Sequence, residues 1–354
     1  MGLVRYIRAV LLSSLLAIIA ISHRYSKNAS LGEKFTYLVP STLYNEMLTQ
    51  PAPAVMLVAS YKGGSTFCGE LFNQNPNICY FFEPLYDTSD KPTWNSSIKA
   101  TSTLKELYNC MFVDHYLNMI HNFPLAKSRS NCFKNICKTG LCCRKTNRSE
   151  LVQGCGKYNY KAIKVLRLQS LEVLKPLVLE EKIDLKIIHL IRDPRGIACS
   201  RTCKGFWDVQ RREIIEIQGD LLKEIANECK NMHNMVSYAK SLPAWLDRHY
   251  KIVRFEDLAI DPIGVAEEIY RFIGIDLPVE VTSWIQAKTK HEEYGEGRLN
   301  RSRNSTATAD SWRHVLTFSE VNLIQNVCTD IINDMHYKML SSENQLQDIH
   351  NHVF

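Results

Sequence analysis

Two short segments hold the residues best suited to handle anions. The first is Ser60-Tyr61-Lys62-Gly63-Gly64-Ser65-Thr66-Phe67, directly after the apolar run Ala54–Ala59. The second is Arg192-Asp193-Pro194-Arg195-Gly196-Ile197-Ala198-Cys199-Ser200-Arg201, directly after Leu185–Ile191. Each apolar run reads as a buried strand that empties into a turn and then a helix. Gly63 and Gly64 open backbone conformations closed to other residues and let a ligand approach the main chain. Ser65 and Thr66 open a helix over Phe67–Asn73, whose free N–H groups and positive dipole end favour phosphate or sulfate. Lys62 adds a mobile charge at the mouth of the loop. The nucleotide-triphosphatase loop needs four residues between its glycines and then Gly-Lys-Ser/Thr, and the chain has no such run. Taken alone, the Gly-Gly turn also fits an ordinary strand-to-helix connection.

Arg192 stands at the carboxyl end of its strand, where open α/β sheets bind ligands. Ser200 follows eight residues later (200 − 192), about two helical turns along. An arginine fork and a hydroxyl can then meet on one phosphate, the arginine through bidentate charge-assisted bonds. The alternative is a strand-end salt bridge from Arg192 or Arg195 to Asp193, with Ser200 merely solvated. Together the two segments imply a site for a nucleotide with phosphates at two separate places.

In this order, the segments resemble the phosphosulfate loop and 3′-phosphate segment of sulfotransferases. The stretch Lys62–Tyr86 (KGGSTFCGELFNQNPNICYFFEPLY) resembles the Golgi carbohydrate 6-O-sulfotransferases that act on galactose, N-acetylgalactosamine or N-acetylglucosamine. So do AIKVLRL at 162–168, Leu185–Arg201, IVRFEDLAIDP at 252–262, EIYRFIGI at 268–275, Trp284-Ile285-Gln286 and NSTATADSWR at 304–313. The likeness runs in order from about Ala54 to Lys338 and is nearest in look to the keratan-sulfate galactose 6-sulfotransferases. The chain departs from that family's usual Arg-Ser/Thr-Gly-Ser-Ser-Phe by carrying Lys62-Gly63-Gly64-Ser65-Thr66-Phe67. A lysine there is similar to the heparan-type enzymes; it keeps the charge and loses the planar fork.

The resemblance implies a sulfate donor, 3′-phosphoadenosine 5′-phosphosulfate, and no metal. It places Lys62, Gly63, Gly64, Ser65, Thr66 and Phe67 on the donor's 5′ side, and Arg192 and Ser200 on its 3′-phosphate. Lys62 and the helix start would stabilise charge growing on the leaving group. The proton acceptor for the attacking hydroxyl is expected to be Glu83, at the end of Phe81-Phe82 and 21 residues after Lys62 (83 − 62). Partial burial beside those rings would make its carboxylate a better base; the alternative is that Glu83 orders its loop through backbone N–H groups. Arg167 could face donor or acceptor, or be a surface arginine. Trp312 reads as core, and Arg254, Glu256 and Asp257 as structural ion pairs.

The elements that must position these groups follow from pattern. Alternating strand and helix signals predict one doubly wound α/β domain with a central parallel sheet flanked by helices. Helices are expected over Ser170–Glu181, Arg211–Ser241, Ile263–Ile273 and Ser319–Asn333. The predicted organisation is a cytosolic tail (1–8), a transmembrane signal anchor (9–22), a luminal stem (23–53) and a sulfotransferase domain (54–340). That domain carries a cysteine-rich insertion at about 95–155 and is followed by a C-terminal tail (341–354). Cleavage after Ala20-Ile21-Ser22 is the alternative to anchoring.

Five Asn-x-Ser/Thr sequons, at Asn28, Asn95, Asn147, Asn300 and Asn304, agree with entry into the secretory pathway. Of twelve cysteines, five lie between Cys132 and Cys155 (Cys132, Cys137, Cys142, Cys143 and Cys155), and these predict disulfides of unknown connectivity rather than zinc. The expected setting is the Golgi membrane, single-pass, with the catalytic region luminal. The net charge of +6 is modest, and much of it must sit around an anionic donor and a glycan acceptor; charge alone also allows nucleic acid, which a luminal enzyme would not meet. Self-association is left open. Two other functions compete: a luminal nucleotide-dependent kinase, disfavoured by the missing Walker lysine, and a noncatalytic glycan-binding relative.

Overall fold

The computed structural model describes residues 53–86, 97–122, 129–133, 147–166, 168–204, 213–214, 217–289, 305–348 and 353–354. Their first half alternates β1 (Ala54–Ala59), α1 (Ser65–Asn73), β2 (Ile78–Phe82), α2 (Ser97–Tyr108), α3 (Asp114–Asn122), α4 (Arg148–Gly156), β3 (Tyr160–Val165), α5 (Lys175–Leu179), β4 (Leu185–Ile191) and α6 (Pro194–Thr202). There follow the short strands β5 (Cys203–Lys204) and β6 (Glu213–Ile214), α7 (Gly219–Lys240), β7 (Tyr250–Arg254), α8 (Phe255–Ile260), α9 (Pro262–Ile273) and α10 (Val279–Thr289). The last described helices are α11 (Ser305–Asp310), α12 (Phe318–Val327), α13 (Thr329–Asp334) and α14 (Glu343–Gln347).

The main sheet has five strands in the order β2-β3-β1-β4-β7, all parallel, as predicted. Strand β1 shows why its sequence is apolar throughout. Ala54, Met56 and Val58 join the core on one face, while Val55, Leu57 and Ala59 join that on the other. Such a strand has no solvent side to alternate with. From β1 the chain first fills one side of the sheet with β2 and β3, then the other with β4 and β7. This reversal leaves a crevice between the carboxyl ends of β1 and β4, where open α/β sheets take their ligands.

Helix α9 begins where the Asp261 carboxylate accepts from the Gly264 N–H at 2.9 Å, has Pro262 in its first turn and ends at Gly274, whose φ is +78°. Its buried residues Ala266, Ile269, Tyr270 and Ile273 recur at the spacing of one helical face. Three predicted helices differ from observation. The helix expected over 170–181 is a 3₁₀ turn, Leu171–Leu174, followed by α5 with Pro176 in its first turn. The one expected from Arg211 begins only at Gly219, because Glu213–Ile214 pair antiparallel with Cys203–Lys204. The one expected over 319–333 is broken into α12 and α13 at Cys328, which leaves helical geometry and is bonded to Cys229 of α7.

Two further disulfides lie among the described residues. Cys132 of the predicted cluster bonds Cys79 of β2, and Cys155 bonds Cys110; Cys137, Cys142 and Cys143 fall outside them. Among the described residues, no helix is long and apolar enough to cross a membrane. The predicted tail, anchor and nearly all of the stem lie outside them. A third core, around α6, α7, α12 and α13, includes Leu346 and Val353 from the final segment.

Candidate active site

The loop after β1 turns tightly, with the Gly63 N–H donating to the Ser60 carbonyl at 3.0 Å. Lys62 and Gly64 both take left-handed backbone, at φ +67° and +84°. A Cβ at Gly64 would lie 2.2 Å from Cδ2 of Phe255, so only glycine fits. Helix α1 starts at once, and no side chain caps its leading N–H groups. Ser65 is buried and Thr66 exposed, while Phe67 is half-buried, its ring centroid 5.2 Å from that of Trp284. An uncapped helix start on a glycine turn is a ready anion site.

Arg192 crosses the crevice beside this loop. Its Nη1 donates to the Lys62 carbonyl at 2.9 Å and to Ser200 Oγ at 3.2 Å. The guanidinium lies 4.5 Å from the centre of the Phe255 ring, and its buried Nε has no acceptor among the described residues. The Lys62 carbonyl, 130 positions before Arg192, therefore meets Arg192 and Ser200 at one place. Both readings of the second segment hold, for different arginines. Arg195, fully buried, makes the salt bridge to Asp193 at 2.6 Å, and Arg192 is left for Ser200 and the loop.

Glu83 stands at the carboxyl end of β2, with left-handed backbone at φ +49°. Its Oε1 accepts from Lys164 Nζ of β3 at 2.9 Å, with Lys164 1% and Glu83 12% exposed. Burial holds the Lys164 ammonium pKa below its usual range, and the Glu83 carboxylate works against that pull. The Lys164 charge also lies 4.0 Å from the Phe82 ring centre. Neighbouring strands are about 4.8 Å apart, so the end of β2 that carries Glu83 lies about 10 Å to one side of β1 and the end of β4 that carries Arg192 about 5 Å to the other.

Behind Arg192 lies a buried network. The Glu256 carboxylate accepts from the Asp193 N–H at 3.0 Å and from the Tyr337 hydroxyl at 2.7 Å. Burial, with the nearby Asp193 charge, pushes its pKa up to about 7, against those bonds and Arg192. The expectation that Glu256 forms an ion pair is thus corrected: its partners are an amide and a phenol. Arg254 and Asp257 do pair, at 2.7 Å. Trp312 is buried, with Arg195 4.5 Å from its ring centre. Arg167 lies outside the described residues.

Sequence reasoning missed Lys164 and Arg201. The signal for Lys164 was a charged residue inside an apolar strand, which needs a buried partner. Arg201 donates to the Tyr61 carbonyl at 3.1 Å and to Glu228 of α7 at 3.0 Å, tying the loop to α7. Its neighbour Ser200 had been singled out, but Glu228 is distant in sequence.

Residues 52–341 match the family model described as the sulfotransferase domain. Carbohydrate sulfotransferase 1 of Homo sapiens is 30% identical over 90% of this chain and 87% of its own length. Carbohydrate sulfotransferase 5 of Mus musculus is 28% identical over 83% of each chain, and carbohydrate sulfotransferase 3 of Homo sapiens is 29% identical over 82% of this chain and 68% of its own. A crystal structure of retinol dehydratase in a complex with retinol and PAP aligns with 82% of this chain and 83% of its own, at 15% identity and a TM-score of 0.43. The chain belongs to the sulfotransferase family, alongside carbohydrate sulfotransferases that align along most of its length, and is a sulfate-transferring enzyme.

Proposed function

We propose that the chain moves sulfate from 3′-phosphoadenosine 5′-phosphosulfate to the 6-hydroxyl of a galactose, N-acetylgalactosamine or N-acetylglucosamine residue in a glycan. One observation carries the reading: Arg192 joins the Lys62 carbonyl and the Ser200 hydroxyl across the crevice beside an uncapped helix start. This sets two anion-binding elements side by side, as a nucleotide with separate 5′ and 3′ charges requires. The residues fit the donor, since the buried Arg192 Nε has no acceptor among the described residues and no side chain caps the N–H groups that open α1. The names of the aligned relatives support a sugar acceptor.

The bound donor supplies a sulfuryl group whose leaving phosphate is already a stable anion. Lys62 and the N–H groups opening α1 stabilise charge as the sulfur–oxygen bond to that phosphate breaks. Arg192 and Ser200 hold the 3′-phosphate and fix the donor's orientation. As the new sulfur–oxygen bond forms, the sugar hydroxyl's proton passes to Glu83. Lys164 engages Oε1 and fixes that carboxylate, so Oε2 is the oxygen offered to the acceptor. The apolar run Ala9–Ile21 supports a membrane anchor, and the three disulfides among the described residues support an oxidising compartment such as the Golgi lumen.

Purified full chain given radiolabelled donor and a panel of defined glycans should sulfate at least one, and the modified carbon identifies the position. Glu83→Gln should lower turnover by about 10²–10⁴-fold, the usual worth of a general base, while binding of adenosine 3′,5′-bisphosphate persists. Folded wild-type protein with no affinity for that bisphosphate would end the proposal. A Glu83→Gln enzyme as fast as wild type would remove Glu83 from it.

A further inference from the structure

Glu256 does not face the proposed donor, yet both its carboxylate oxygens are committed next to the turn that carries Arg192. It is fully buried; Oε1 takes the Asp193 N–H, and Oε2 takes the Tyr337 hydroxyl. Asp193 directly follows Arg192, so this bond fixes the backbone from which the guanidinium projects. The same turn is gripped from its other end. Arg195 holds the Asp193 carboxylate and donates to the Lys338 carbonyl at 2.8 Å and to Gln325 Oε1 at 3.0 Å. Tyr337 and Lys338 are neighbours, and the Gln325 side-chain amide in turn donates to the Leu340 carbonyl and accepts from the Leu340 N–H. The segment after α13 therefore clasps the Arg192–Arg195 turn at two points. Phe255, immediately before Glu256, lies against the Arg192 guanidinium and closes over Gly64. One dipeptide thus sets both the face and the backbone anchor of a single arginine.

We infer that Glu256, held by Tyr337, is a positioning residue for phosphate recognition. It fixes the Asp193 amide and so aims Arg192 at Ser200 and the Lys62 carbonyl, where the 3′-phosphate of the donor is selected. The inference rests on the donor site proposed above. It extends that site to residues that touch no ligand, and makes the segment around Tyr337 part of donor selection.

The test is a ratio: the affinity for adenosine 3′,5′-bisphosphate over that for adenosine 5′-monophosphate, which lacks the 3′-phosphate. Wild-type full chain should prefer the bisphosphate by about 10- to 100-fold, the yield of a charge-assisted hydrogen bond. Glu256→Leu keeps similar volume and leaves the Asp193 N–H unmet. It should lower the preference at least fivefold while the monophosphate affinity holds. Glu256→Gln still offers an oxygen to that N–H and should restore most of the preference. Tyr337→Phe removes one of the two bonds to Glu256 and should lower the preference at least twofold; it carries the test should the leucine variant not fold.

A selective loss in Glu256→Leu or Tyr337→Phe, with rescue by Glu256→Gln, supports the assignment. If the two affinities fall in parallel, or if folded variants keep the full preference, Glu256 does no more than support the fold and the inference is overturned while the donor site stands. If wild type itself shows no preference, the 3′-phosphate reading fails and takes this inference with it.

Discussion

Replacing Gly64 with alanine should destabilise the protein and weaken donor binding at the same time, for reasons visible in one contact. The residue sits at φ +84°, and left-handed backbone costs an L-residue about 1–2 kcal/mol. The added methyl would fall 2.2 Å from Cδ2 and 2.4 Å from Cε2 of Phe255, so the ring must move. Forcing an extra methyl into a packed site costs about 1–3 kcal/mol, giving a total of about 2–5 kcal/mol. The displaced ring lies against the Arg192 guanidinium, so affinity for adenosine 3′,5′-bisphosphate should fall with it. Denaturant unfolding of wild type, Gly64→Ala, Phe255→Ala and the double variant separates the two costs. In the Phe255→Ala background the overlap is gone, and alanine at 64 should cost only the backbone share. An equal cost in both backgrounds would refute the overlap argument, and a Gly64→Ala protein within about 0.5 kcal/mol of wild type would refute both parts.

Two further outcomes follow from the buried groups. Glu256 has a folded pKa of about 7 against an ordinary value of 4.5, so the folded state keeps its proton longer. Its contribution to stability is therefore fullest below about 4.5 and is lost as pH rises toward 7, by about 3 kcal/mol at 1.36 kcal/mol per pKa step. The stability difference between Glu256→Gln and wild type should shift in the variant's favour across that window; a difference flat with pH would contradict the assignment. Cys229 and Cys328 are 99 residues apart, so replacing both with alanine should lower stability by about 4–5 kcal/mol in the chain-entropy account, read by denaturant midpoint against oxidised wild type. A double variant that matches the oxidised protein would show that this link contributes nothing.

The sheet was legible because β1 and β4 are covered on both faces and so spell continuous apolar runs. The meeting of Lys62, Arg192 and Ser200 was legible because both segments follow such runs, and parallel strands deliver their carboxyl ends to one rim. What escaped reading depends on partners far away in sequence. Glu256 looked like half of an ion pair with nearby Arg254, but its hydroxyl partner Tyr337 lies 81 positions on. Lys164 drew no reading from the sequence, because its partner Glu83 stands at the end of another strand 81 positions earlier (164 − 83). Helix continuity across Cys328 was misjudged because periodicity carries no trace of a crosslink to another helix. The start of α7 was misplaced because two-residue strands leave almost no pattern.

Strand β3 separates the two halves of the rim. On one side β1, β4 and the Phe255–Glu256 pair grip Arg192; on the other stand Glu83 and a strand stapled through Cys79 to Cys132. Lys164, reaching from β3, ties that strand to the Glu83 side. Under the proposed function, a substitution on the Glu83 flank should therefore change how the acceptor is handled and leave the hold on Arg192 as it is.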